Sequence, residues 1–387
     1  MKQIYYLTLF TFTLLFTLNI SAQDDNIKEN KLKLYGDVRF RVEADRNSNK
    51  NTIDIKRADR DRLRYRARFG FNYKLDNYEF GVRLTSGNPA NQQSPHTTLG
   101  NGFDSHQFSL DKAYIKVKSN NGLWAWVGKN TMPFWGQNEL LWDGDVNPEG
   151  VSLGGKFNIG EKTKLTPILG YYITKNNQLG DNINIATGDP INNLTQTFNN
   201  HSNILLAQLK ACSQIDKNKL SISSGLISST DKGVLKDKTD DMKYTIWASS
   251  IHFKSNIGLT AGFDYFNNLV DYTDNAAVIA LHKNQKTGYV ASLKYGKNKF
   301  TTAVTYALIQ KYAVVDLFAQ DDWVRWGTAD MTRSSNFKGF ELNFKYKFTK
   351  YFNSTLRFWN VEGIKFHGAG NQLETGTRVR LDFNIKF

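Results

Sequence analysis

Arg62, Arg64, Arg66 and Arg68 stand at every second position of the stretch RDRLRYRARFGFNY, residues 60–73. Guanidinium groups are permanent cations with donors in a planar fork, and the chemistry they offer is capture of carboxylate, phosphate or other small anions. Leu63, Tyr65, Ala67, Phe69 and Phe71 supply an apolar-aromatic stripe between them. Side chains alternate across an extended chain, so one strand carries a cationic face and an apolar face. At helical spacing the arginines would scatter and no apolar face would form. A row of arginines cannot be buried unpaired in a soluble core. It requires water, counter-ions or acidic partners on its own side and something apolar on the other. Two settings fit: the wet face of a soluble sheet that reads phosphates, or the aqueous side of a barrel embedded in lipid.

Arg39, Arg41 and Arg83 fall on the equivalent face of neighbouring strands, and Lys112, Lys116 and Lys118 one strand further. In a narrow aqueous passage with low-dielectric walls, such a basic face concentrates anions; in a wide one it only solvates the wall. The segment Asn130–Gly150 carries the opposite charge: Asp143, Asp145 and Glu149, with Phe134, Trp135 and Trp142. Folded inward, these acids would face the arginines and set a transverse field; left outside, they are ordinary loop charge. Asp143, Asp145 and Asn147 resemble the start of a calcium loop, but Pro148 stands where such a loop needs a sharp-turn glycine.

Other chemistries find little support. The six histidines (96, 106, 201, 252, 282 and 367) show no ligand spacing and read as surface residues. Cys212, the single cysteine, excludes an intrachain disulfide framework and reads as a buried small residue on a strand. Asp321, Asp322 and Asp330 read as solvated loop charge. No Gly-rich phosphate loop, paired-carboxylate motif or nucleophile–base pair stands out. The expectation is therefore no enzyme, no cofactor and no metal, although sites of barrel hydrolases are not local in sequence.

The elements that position these residues follow one beat. Residues 1–22 have a basic start, an apolar middle and Ser21-Ala22 before a polar stretch, which reads as a cleaved signal peptide ahead of a single domain over 23–387. No later apolar run approaches the ~18 residues a membrane helix needs. A mean hydropathy of −0.49 excludes a helical bundle in lipid. It does not exclude a barrel, whose strands are only half apolar. The formal net charge is +14, and +13 once Lys2 leaves with the signal segment.

Strands are expected at 32–42, 60–73, 78–85, 108–118 (with a bulge near its start), 123–129, 151–157, 164–173 and 203–212. Eight more follow at 219–227, 242–253, 257–267, 287–296, 299–310, 337–348, 352–360 and 377–387. Short turns and long loops alternate strictly between them. That sorting matches the two ends of an outer-membrane barrel, and a soluble sandwich has no reason for it. The fold class expected is all-β: a sixteen-stranded antiparallel transmembrane barrel.

With these features the chain resembles the bacterial outer-membrane porin superfamily, in its phosphate-selective-porin-like branch. The likeness rests on LYGDVRFRVE at 34–43, RLRYRARFGFNY at 62–73, LDKAYIKVK at 110–118, WVGKNTMPFWGQ at 126–137, PEGVSLGGKF at 148–157 and the terminal LDFNIKF. The resemblance implies an infolded third loop at 130–150, a homotrimer, and recognition of Phe387 by the barrel-insertion machinery. No phosphate-specific signature can be matched residue by residue.

The function expected is a passive channel for small hydrophilic solutes with anion preference, through a basic face of Arg39, Arg41, Arg62, Arg64, Arg66, Arg68, Arg83, Lys112 and Lys116. Asp143, Asp145 and Glu149 form the expected constriction. The alternatives are a closed barrel with binding loops and a soluble polyanion-binding sheet. Charged inward positions outnumber bulky ones, which favours the channel. Partners on this reading are outer-membrane lipid, lipopolysaccharide and small anionic or polar solutes, with no nucleic acid.

Overall fold

The computed structural model describes residues 31–49, 58–89, 91–100, 102–175, 202–229, 243–273, 282–324, 334–365 and 373–387. The expected signal segment, His201, His367 and Asp330 lie outside the described residues.

The alternating stretches form sixteen wall strands. The first eight are β1 (Lys31–Asn49), β2 (Arg60–Leu75), β3 (Tyr78–Ser86), β4 (Phe108–Lys118), β5 (Trp124–Lys129), β6 (Glu149–Gly154, continued by Phe157–Ile159), β7 (Thr163–Lys175) and β8 (Ser202–Ile215). The others are β9 (Asn218–Ser229), β10 (Thr245–Lys254), β11 (Leu259–Asn268), β12 (Thr287–Lys297), β13 (Phe300–Ile309), β14 (Phe337–Lys347), β15 (Phe352–Gly363) and β16 (Thr375–Lys386). Each pairs antiparallel with its sequence neighbours, and β1 pairs with both β2 and β16, so the sheet closes on itself. Closure leaves no unpaired edge, the condition for crossing lipid with strands. Among the described residues no helix is long and apolar enough to cross a membrane.

Side-chain polarity is reversed relative to a soluble protein. Leu34, Phe40, Val42, Leu63, Phe69, Leu205, Leu209, Val304 and Leu356 point outward and are exposed. Arg41, Glu43, Asp45, Arg66, Arg380 and Asp382 point inward and are buried. An exposed apolar belt with a charged interior is stable only when lipid surrounds the cylinder. Exposed aromatics (Tyr78, Phe157, Tyr295, Phe300, Tyr346, Phe348, Tyr351 and Phe387) gather near the short-turn end, where an aromatic girdle belongs at the membrane interface. The tightest turns place Asp76, Asp216 and Asn298 at φ of 49°, 50° and 55°. Asp and Asn tolerate this left-handed region at hairpin turns.

One strand detail differs from the sequence reading, one left ambiguous is resolved, and one agrees. β1 runs seven residues beyond Val42, because Glu43 and Asp45 have register partners on both sides: Arg62 and Arg60 on β2, Arg380 and Arg378 on β16. Trp124 and Trp126, ambiguous in sequence, sit on the inner face, with Trp126 stacked on Tyr172 at 6.0 Å and Val127 exposed outside. The bulge expected at the start of the fourth strand is present: Arg83 pairs with Lys112 and Leu84 with Leu110, leaving Asp111 as the extra residue.

Candidate functional site

The inner face of β1, β2 and β16 is where the arginines meet their partners. Asp37 lies opposite Arg68, Arg39 opposite Arg66, Arg41 opposite Arg64, Glu43 opposite Arg62 and Asp45 opposite Arg60. Arg41 also faces Asp382, and Asp45 faces Arg378, across the other seam. The acids of β1 therefore interleave with the arginine row of β2. Arg66 Nη2 and Arg68 Nε donate to the two oxygens of Asp37, each at 2.7 Å. Arg62 donates to Glu43, Arg60 to Asp45 at 2.7 Å, Arg378 to Asp45 at 2.7 Å, and Arg41 to Asp382 at 2.7 Å. The basic row is thus a paired ladder, which is why it can be buried.

Two rungs differ. Arg39 donates to Asn384 at 2.6 Å, and Arg64 donates to Ser94 Oγ at 2.9 Å and to the His96 carbonyl at 3.1 Å. Among the described residues no carboxylate lies within ion-pair distance of either. Of the remaining expected basic residues, Arg83 pairs with the bulged Asp111, Lys112 donates to Thr131, and Lys116 sits 4.8 Å from the centre of the Trp124 ring. Lys118 is exposed and reaches Glu79 at 3.5 Å. Tyr114 donates to Glu79 at 2.9 Å while its ring covers Gly81.

The segment between β5 and β6 crosses the interior. The Trp135 amide donates to Gln208 on β8 at 2.7 Å, Asn138 donates to Asp264 on β11, and Gln137 meets Ser292 on β12 at 3.1 Å. Its tip returns to β2, where Asp145 accepts from Arg66 at 3.3 Å and Arg68 at 2.9 Å. Asp143 Oδ1 accepts from the Asp145 amide at 2.8 Å, and Asn147 donates to Asp111 at 2.6 Å. These contacts turn the three side chains apart, toward different partners. Glu149 does not join this acidic group: it opens β6, is exposed, and pairs with Lys129 at 2.7 Å.

Glu139, which the sequence reading passed over, takes its place. It accepts from Gln320 at 3.0 Å and is held above the usual carboxylate range by burial and by Asp145. Asp143 is pushed well above that range by burial, then by Asp145 and Glu139.

A second infolded segment, residues 310–324, was not foreseen. Ala313, Val314, Val315, Phe318, Ala319, Trp323 and Val324 are all buried. Phe318 stacks on Trp142 at 4.8 Å, and its carbonyl accepts from the Asp143 amide at 2.6 Å. Gln93, from the loop after β3, donates to the carbonyls of Asp316 and Ala319, each at 2.6 Å. The expectation that charged inward residues outnumber bulky ones is corrected here. Part of the buried apolar content comes from this loop, whose composition carries no strand beat to reveal it, and part from inward faces of wall strands, among them Ile204, Leu206, Ile246, Phe266, Val290 and Ile309. Asp322, expected as solvated loop charge, instead reaches Arg380 at 2.6 Å and Arg41 at 3.9 Å. Burial alone would raise its carboxyl, but Arg380 and Arg41 hold it well below the usual range.

Between the ladder and these loops remains a polar cavity of about 240 Å³. Arg39, Arg41, Arg66, Arg68, Arg357, Arg380 and Lys386 supply its basic groups, and Glu139, Asp143, Asp145, Asp321 and Asp322 its acidic ones. Seven of these lining residues are basic and five acidic, while the strand acids Asp37 and Asp382 pair with four of the seven, Arg66, Arg68, Arg41 and Arg380.

Residues 53–203 match the family described as "Putative porin". No curated protein matches the chain. Among solved structures, Salmonella typhi OmpF in complex with daunomycin aligns with a TM-score of 0.55 at 10% identity, covering 92% of this chain and 98% of that one. Pseudomonas putida OprB at high pH aligns with a TM-score of 0.54 at 13% identity, covering 92% and 94%. A loop L8 deletion form of OmpT, an outer membrane protein of Vibrio cholerae, gives 0.50 at 12% identity, covering 92% and 99%. At these identities the likeness is one of fold. The family match covers less than half of the chain, and the solved structures share its closed-barrel fold.

Proposed function

We propose that this protein is a passive diffusion channel of the bacterial outer membrane for small hydrophilic solutes, with a modest preference for anions. The observation that carries the reading is the polarity reversal of a closed barrel: apolar outside, with an arginine-rich polar cavity at the crossing of two infolded loops. A charge-lined aqueous gap inside a low-dielectric wall focuses potential, and the sign in excess is positive. Interleaved acids keep that excess small. The preference is therefore weaker than a bare row of arginines would give, and Arg39 and Arg64, which have no carboxylate within ion-pair distance among the described residues, contribute to it. Asp143 and Asp145 act as the constriction in this reading. Phosphate is one of the small anions admitted, and assembly as a homotrimer belongs to the same proposal.

The test is the zero-current potential of the purified protein in a planar bilayer under a potassium chloride gradient. Folding is checked first by β-rich circular dichroism and by a shift in mobility between unheated and boiled samples. A chloride-selective potential supports the reading; cation selectivity removes the anion preference while keeping the channel.

A second reading has its own observation. The buried apolar segment 310–324 fills interior space that an open channel would leave to water. A closed or narrow barrel whose outer loops act as a binding surface accounts for it. Absence of conductance from folded, inserted protein decides for this second reading.

A further inference from the structure

The acids that compensate the arginine ladder come from two kinds of place. Asp37, Glu43, Asp45 and Asp382 belong to wall strands, so hydrogen-bonded register fixes them opposite their arginines. Asp145 and Asp322 are delivered by loops. Asp145 serves Arg66 and Arg68 near the middle of β2. Asp322 serves the other seam, where Arg380 and Arg41 are almost fully buried. Arg380 also lies over Trp359 at 4.7 Å and shares Asp382 at 3.3 Å. Among the described residues Asp382 is the strand carboxylate within ion-pair distance of Arg41 and Arg380; Glu43 lies opposite Arg380 in register but is bonded to Arg62, and the loop supplies the second acid in reach.

Contacts other than its charge also hold the segment that carries Asp322. Trp323 beside it is buried and packs on Phe337 at 5.6 Å. The Asp322 carbonyl accepts from Arg378 Nη1 at 2.5 Å. Gln93 holds the carbonyls of Asp316 and Ala319, Gln320 is tied to Glu139, and Phe318 is stacked on Trp142. Apolar packing and main-chain hydrogen bonds therefore seat the segment, leaving the carboxylate as a separable charge at the lining of the cavity.

We propose that Asp322 is the built-in counter-ion of the β1–β16 seam and the residue that sets how strongly the channel prefers anions. It rests on the channel reading. With the carboxylate present, two buried guanidinium groups are neutralised from inside the lumen and a passing anion gains little from them. With the charge removed and the segment still seated, Arg41 and Arg380 face the cavity with Asp382 alone within ion-pair distance among the described residues, and small anions take up the compensation.

Reversal potentials and single-channel conductance of wild type, Asp322→Asn, Asp322→Glu and the double variant Asp322→Asn with Arg380→Gln test this in planar bilayers. Each protein is first checked for the heat-dependent mobility shift. Asp322→Asn is expected to raise the chloride-to-potassium permeability ratio roughly two- to fivefold, the scale of one charge a few ångströms from an ion in partly screened water. Asp322→Glu should stay near wild type, and the double variant should return toward it, since a site that loses both charges regains its balance. A merely structural role would change conductance without changing the ratio.

Wild-type conduction with an unchanged ratio in folded Asp322→Asn overturns the proposal and leaves the channel reading standing. If Asp322→Asn does not fold, the double variant carries the test, and a ratio in it far from wild type overturns the proposal. A silent wild type with an anion-conducting Asp322→Asn supports the proposal against an open resting channel. Silence from every folded, inserted variant overturns both.

Discussion

The backbones of Gly36 and Phe387 exchange two hydrogen bonds of 3.1 Å, and the Phe387 ring lies over the glycine. A Cβ at residue 36 would fall 2.5 Å from the ring carbon Cζ. This pair extends the β1–β16 seam by which the sheet becomes a cylinder, at the end where exposed aromatics gather. Glycine is required there by close approach of the ring and of the Arg68 carbonyl oxygen, 2.7 Å from such a Cβ, rather than by backbone conformation.

Replacing Gly36 with valine should therefore push the ring away and loosen the seam. The expected cost is about 1–3 kcal/mol, the range for overpacking a tight site. It would be read as a lower urea midpoint for loss of the folded electrophoretic form in detergent. An unchanged midpoint would show that the seam does not depend on this contact.

The paired and unpaired rungs of the ladder should respond differently. Arg41 and its partner Asp382 are each almost completely buried, so Arg41→Ala leaves a buried carboxylate with less compensation and should destabilise by roughly 3–5 kcal/mol. Arg64, bonded to a hydroxyl and a carbonyl rather than an acid, leaves no bare charge behind. Arg64→Ala should change stability by about 1 kcal/mol while lowering chloride preference. Denaturant titration beside reversal potentials separates the two, and equal stability losses would contradict the assignment of partners.

Ion preference should fall as pH rises. The carboxyls of Asp143 and Glu139 lie above their ordinary values of 3.8 and 4.5, through burial first and then neighbouring acids. Below their raised values they are neutral and the lumen is more positive; as pH climbs through those values they ionise and offset the arginines. The folded state binds the extra protons, so these two groups favour it most at the acid end and their contribution declines across the same window. Asp322, shifted the other way, stays charged throughout. Reversal potentials measured from pH 4 to pH 8 should drift toward lower chloride preference, and a flat profile would sink this account.

Phe318→Ala tests what the second infolded loop does. Removing a buried aromatic stacked on Trp142 leaves a cavity at the contact between the two loops, at a cost of about 3–5 kcal/mol to the packed loops. Because the wall strands are untouched, the folded barrel should survive with higher and noisier single-channel conductance. Unaltered conductance would mean that residues 310–324 lie outside the solute path.

Much of the wall was readable from residue order. Period-two alternation at Leu63–Phe71 and at Val379–Phe387 specifies both the strand and the face it turns to lipid, because one face must be apolar whatever the neighbours are. Sixteen strands and their short turns followed from the same local rule. Boundaries were less secure: the acids that carry β1 through Asp45 look like linker until Arg60 and Arg378 are set beside them.

The candidate site was legible only in half. Sequence showed four arginines on one face, and could not show that Asp37, Glu43 and Asp45 interleave with them, since cross-strand register depends on how two separate segments align. It assigned Glu149 to an acidic group from which β6 removes it, and it passed over Glu139, whose environment consists of residues far away in the chain.

The sequence by itself determined a barrel with a cationic inner stripe, because alternation and charge are properties of single strands. Only the tertiary structure decided how much of that charge is left for a solute. Compensation needs partners 15 to 341 positions apart, as in Arg60 with Asp45 and Arg41 with Asp382, and a loop without periodicity gives no sign of where it will fold. Net charge in a lumen is a sum over residues that only closure brings together.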